Sequence, residues 1–190
     1  MRLTKPRIAP VPPEQWTPEQ AELANPILER HGKVLNIFRT QLVHPEAMRA
    51  FLGFGSYVLS KRNTLPARER EIVVLRMGYL CRSGYEWTQH RRIGLNAGLG
   101  EDEIERIKQG PDAPGWSAAD AALLRAADAL HADQFIPDAA WEDLGRHFSV
   151  QQCMDIIYTA GQYTLVSMLL NTLGVQLDEG QVLDPDLRKD

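Results

Sequence analysis

The chain has 190 residues, enough for one domain with a buried core, and 44% of them are apolar. Its 21 Lys and Arg against 25 Asp and Glu leave a net charge of −4, with both signs spread along the chain, so nucleic acid is not an expected partner. No apolar run approaches the ~20 residues of a membrane span, and the opening Met1-Arg2-Leu3-Thr4-Lys5-Pro6-Arg7 lacks the apolar core of a signal peptide, which makes the cytoplasm the expected location.

Prolines at 6, 10, 12, 13 and 18 forbid a helix at the start. Residues 1–17 therefore read as an extended arm with no core of its own, free to wrap a neighbouring subunit. Thr17-Pro18-Glu19-Gln20 opens the first helix, with Thr17 as N-cap and Gly32 as its end. A second helix follows Pro45, where Ala47, Phe51, Phe54, Tyr57 and Val58 recur at three- and four-residue steps. The third starts near Pro66 and is apolar on more than one face, which predicts deep burial. Another runs from about Tyr85 to Ala97, with Gly98 placed to close it in the left-handed conformation. Glu101-Asp102-Glu103 begins a short helix, and the run Gly110–Gly115 is a break. Ser117 to Asp120 starts a helix reaching about His131, Pro137 opens one containing Trp141, and Ser149 to Gln152 is a capping box for a last helix closed by Gly174. Strand signals are confined to β-branched pairs inside helical periodicity. The reading is all-α: one helical domain over residues 18–177, then a polar, mobile tail over 178–190. An echo between Leu95–Leu99 and Leu170–Val175 makes an internal duplication a candidate, with chance as its rival.

Chemistry concentrates near His90. Glu86 precedes it at i−4, on the same helix face. Ser83 lies one turn before Glu86, and Glu71 lies near the start of the preceding helix. These residues make a plausible proton-transfer set, with Tyr85 and Trp87 as packing or pocket wall. Ser83-Gly84-Tyr85-Glu86 is equally a capping box, in which Glu86 would reach back to the Ser83 amide. Arg76 is a candidate carboxylate anchor, since guanidinium grips a carboxylate in a two-pronged fork. Cys81 and Cys153, 72 positions apart, read as buried free thiols. The acidic and imidazole side chains fall short of a convincing ligand set, so no metal is expected.

The stretches Leu65–Arg76 and Tyr85–His90 resemble the carboxymuconolactone decarboxylase family, which also contains the AhpD-type alkylhydroperoxidases. The resemblance is strongest over residues 45–100 and implies an AhpD-like orthogonal helical bundle. The peroxidase branch carries Glu-x11-Cys-x2-Cys-x3-His. Counted back from His90, the two cysteine positions hold Glu86 and Ser83, and the glutamate is Glu71. The glutamate and histidine are kept and both thiols are missing, so a dithiol cycle lacks its parts. The decarboxylase branch implies cofactor-free removal of a carboxylate from a small lactone, with His90, Glu71 and Glu86 as acid–base groups and Ser83, Arg76, Trp87 and Tyr85 as substrate contacts. The alternatives are a peroxidase using Cys81 and a non-catalytic small-molecule binder. The resemblance also implies a trimer or hexamer.

Overall fold

The computed structural model describes residues 1–188, and among them the fold is nine α-helices, two short 3-10 turns and no strand. The helices are α1 (Pro18–His31), α2 (Asn36–Gln41), α3 (Pro45–Val58), α4 (Ala67–Leu80), α5 (Gly84–Asn96), α6 (Glu101–Gln109), α7 (Ala118–Asp133), α8 (Asp138–Gly145) and α9 (Val150–Leu173). Helix α4 is the axle, with α5, α7 and α9 packed around it. Its composition explains the position: every residue from Glu71 to Gly78 is buried, so no face remains for solvent. Ile72, Val73, Val74, Leu75 and Met77 are completely sealed. Each such side chain stabilises the fold by roughly 1.5–3 kcal/mol, which lets the same helix carry one buried carboxylate at a cost of several kcal/mol.

The helix ends follow the local signals. Thr17 accepts from the Gln20 amide and Ser149 from the Gln152 amide, each in a reciprocal capping box. Gly32 and Gly174 close α1 and α9 in the left-handed region, at φ 71° and 69°. The short α2 has no side-chain cap, so no local start signal marks it in the sequence. No helix among the described residues is long and apolar enough to cross a membrane.

Two expectations about the ends of the chain are corrected. The proline-rich arm has a core: Val11 and Trp16 pack with Ile27, Leu42 and Met48, and the Val11 amide donates to the Arg39 carbonyl at 3.0 Å. The arm wraps its own chain. The polar tail is pinned rather than mobile. Asp178 accepts from the Asn36 amide, the Tyr85 hydroxyl and Gln89, at 2.8, 2.6 and 2.9 Å. Asp184 accepts from Trp87 Nε1 at 3.0 Å and from Lys108 at 2.8 Å, and Leu187 is buried. The tail's polar residues are specific acceptors for α5. Its last two positions, 189 and 190, lie outside the described residues.

Candidate active site

Helices α4 and α5 form an antiparallel hairpin. Arg82, at φ 52°, reverses the chain between them, and the Ser83 amide donates back to the Gly78 carbonyl at 2.8 Å. Gly94 on α5 sets how close the two helices come. A Cβ there would lie 3.2 Å from Leu75 Cδ1 and 3.1 Å from Leu99 Cδ1. Close approach brings Glu71, in the second turn of α4, against His90 on α5.

The imidazole is engaged from both sides. His90 Nδ1 lies 2.6 Å from Glu71 Oε2, and Nε2 lies 3.0 Å from Glu86 Oε1. Tyr163, on α9, places its hydroxyl 3.0 Å from the same Nε2, with its ring edge-on to the imidazole. All four side chains are buried. Burial alone would push the imidazole toward its neutral form, but Glu71 and then Glu86 outweigh that and hold its pKa up at about 10. At neutral pH His90 is thus a cation that donates through both nitrogens. Burial and the same two carboxyl groups push the Tyr163 phenol well above its ordinary value, so it stays protonated. A substrate atom that displaced Glu86 or Tyr163 from Nε2 would meet a proton donor.

Several buried polar atoms nearby have no hydrogen-bond partner among the described residues. Glu71 Oε1 is one, and the Ser83, Thr159 and Ser167 hydroxyls are others. Thr159, Tyr163 and Ser167 repeat at four-residue steps, so they share the inner face of α9. Unsatisfied buried polar groups are costly and cluster where a ligand or water can complete them.

The residues expected at the site divide. Glu71, Glu86 and His90 meet as described. Ser83 is sealed at the start of α5, but neither it nor Glu86 makes the expected capping box, because Glu86 is turned to His90 instead. Tyr85 and Trp87 face away and hold the tail through Asp178 and Asp184. Arg76 is not free to anchor a substrate. Its Nε and Nη2 fork onto Asp128 at 2.6 and 3.0 Å, and its Nη1 donates to the Ile107 and Lys108 carbonyls. Both cysteines are free thiols, and burial pushes both up, away from the reactive thiolate.

Two contributors escape sequence reasoning. Tyr163 lies 73 positions from His90 in a helix that reads as apolar. The available signal is the polar series Thr159, Gln162, Tyr163 and Ser167 inside that helix. The other is Arg70, next to Glu71. Its Nε is buried with no hydrogen-bond partner, and its charge acts on the Tyr163 phenol.

A buried Glu71–His90 pair on a helical hairpin, closed by Tyr163 of α9 inside an all-α bundle, makes a candidate acid–base site around a single imidazole. Residues 45–129 match the model of the Carboxymuconolactone decarboxylase family, which supports the family resemblance over that part of the chain. Among solved structures, the chain is similar to a protein of unknown function from Agrobacterium tumefaciens, provisionally described as the antioxidant defence protein AhpD. Identity is 24%, the TM-score is 0.68, and 73% of this chain and 94% of that one are covered. It is also similar to an uncharacterized peroxidase-related protein from Silicibacter sp. TM1040, at 18% identity and TM-score 0.75, covering 94% and 92%. A third is the debrominase Bmp8, at 13% identity and TM-score 0.75, covering 90% and 92%. These likenesses establish the fold. No curated protein matches the chain.

Proposed function

We propose that the chain is a cofactor-free acid–base enzyme of the decarboxylase branch, acting on a small carboxylated lactone or a close relative. The observation that carries this reading is the two-sided engagement of His90. Glu71 fixes the ring through Nδ1 and supports its positive charge, while Nε2 presents the proton. Loss of carbon dioxide, or opening of a lactone, leaves electron density on carbon or oxygen, and a buried proton donor is what that step needs. Tyr163 stays protonated and shares Nε2, so its hydroxyl orients the imidazole and the proton it presents. Arg70, unpaired at its buried Nε, takes the anchoring role that Arg76 does not have, and grips the substrate carboxylate.

Thiol chemistry has no comparable support. The positions that would carry the paired thiols hold Ser83 and Glu86, and Glu86 is bound to His90.

The test is turnover across a panel of carboxylated lactones, following both carbon dioxide release and lactone loss, in the unaltered protein and in His90→Gln. The neutral amide fills the imidazole's space without its acid. At least a hundredfold loss of kcat in a folded variant is expected. Equal turnover by the variant, or no turnover of any carboxylated lactone, overturns the proposal.

A further inference from the structure

The outer face of α9 carries no charge. This helix is 24 residues long, contains no Lys, Arg or His, and has one carboxylate, Asp155, which is buried. Val150, Met154, Ile157, Tyr158, Leu165 and Met168 are all exposed, between 40% and 69%. Val150, Met154, Ile157, Gly161 and Met168 are spaced at heptad steps of four, three, four and seven, and Tyr158 and Leu165 flank them, so they form one continuous stripe roughly 27 Å long. Phe54 of α3 widens it, lying edge-on to Tyr158 with ring centroids 6.2 Å apart. A continuous exposed apolar stripe of this kind marks a contact surface more often than a free one.

We propose that this face is covered by the same face of a second copy, with the two α9 helices antiparallel and crossing at Gly161. The order of residues about Gly161 selects this occupant. Met154 and Met168 both lie seven positions from it, Ile157 and Leu165 both lie four, and Tyr158 and Thr164 both lie three. A two-fold axis through Gly161 therefore sets Met154 on the partner's Met168, Ile157 on the partner's Leu165 and Tyr158 on the partner's Thr164. Self-matching of this kind is what an isologous contact requires. Gly161 itself is exposed, and a Cβ there would meet nothing within 4 Å, so the backbones can approach closely at the crossing. The heptad spacing favours a shallow crossing of about 20°.

Other occupants fit less well. A charged partner would find nothing to pair with on the stripe, and an anionic membrane surface calls for Lys or Arg flanking the apolar residues, which α9 lacks. Area also bears on the geometry. One helix strip of roughly 27 by 10 Å is only part of the ~800 Å² that a stable partner buries, and exposed Phe54 beside Tyr158 extends the apolar face available.

Sedimentation at micromolar concentration should give twice the chain mass of 21.4 kDa, or a larger assembly built from such pairs. Gly161→Glu sets two like charges against each other at the crossing and should shift the protein to monomer. Glutamate is the better helix former at this exposed site, so circular dichroism should show no loss of helix. Gly161→Cys should cross-link to itself under mild oxidation, above the background from Cys81 and Cys153. Met154→Cys should cross-link when mixed with Met168→Cys, and neither should do so alone. A hexamer of three pairs that cross-links through Gly161→Cys supports the contact. A stable monomer, or an oligomer that survives Gly161→Glu and does not cross-link through Gly161→Cys, overturns it.

Discussion

His90 Nδ1 and Glu71 Oε2 lie 2.6 Å apart, and both side chains are sealed from water inside the α4–α5 hairpin. The contact ties a functional group to the stability of the fold, so pH should read it directly. The imidazole's pKa stands at about 10 in the folded chain, against 6.5 for an unperturbed histidine. The folded state thus holds this proton more tightly than the unfolded state does. Its contribution to stability is full below pH ~6.5 and is lost as pH rises through about 10. Urea midpoints should fall across that window in the unaltered protein. His90→Gln should remove this part of the slope, and an identical slope in both would refute the assignment.

Tyr163→Phe separates catalysis from packing. The ring stays edge-on to His90 and only the hydroxyl at Nε2 is lost. Stability should change by about 1 kcal/mol. Turnover should drop on the order of a hundredfold if the hydroxyl holds the donating geometry at Nε2. Unchanged kcat with unchanged stability would reduce Tyr163 to a wall of the site.

Much of this arrangement was legible in the sequence because it is local. Thr17, Ser149 and Gly174 act on their own helices, and their signals need no knowledge of the rest of the chain. The spacing from Glu86 to His90 is likewise a property of one helix. Glu71 was reachable because the turn between α4 and α5 is short and the family register counts across it. Tyr163 and Arg70 were not, since nothing local reports that α9 crosses this hairpin. Glu86 shows the opposite failure: a local capping signal was present, and a stronger tertiary partner took the carboxylate away. Arg76 failed similarly, because Asp128 and two carbonyls from the end of α6 claim its donors.

Two of the three arginines of α4, Arg70 and Arg76, should respond in different measurements. Arg76→Lys loses the fork onto Asp128 and strands carbonyls that its Nη1 now satisfies. That should cost about 2–3 kcal/mol in urea unfolding and leave KM alone. Arg70→Met should raise KM for a carboxylated substrate about tenfold or more while stability stays near that of the unaltered protein. A raised KM in Arg76→Lys with no loss of stability would restore Arg76 as the anchor.

The acid side of the stability profile rests on a different carboxylate. Asp155, on the inner face of α9, accepts from the Tyr57 hydroxyl at 2.5 Å and from the Thr64 amide and hydroxyl at 2.7 Å each. It therefore pins the loop before α4 to α9. Burial alone would raise its pKa, but the hydrogen bonds from Tyr57 and Thr64 outweigh that and hold it below the usual 3.8. The sign is opposite to that of His90. This contribution is full above pH ~3.8 and disappears as pH falls through the lower folded value. Asp155→Asn keeps the shape but turns an amide donor toward groups that already donate, at a cost of about 1.5–3 kcal/mol near neutrality. The gap between variant and unaltered protein should narrow as pH drops below ~4. A gap that stays constant through that range would mean that Asp155 acts by shape and not by charge.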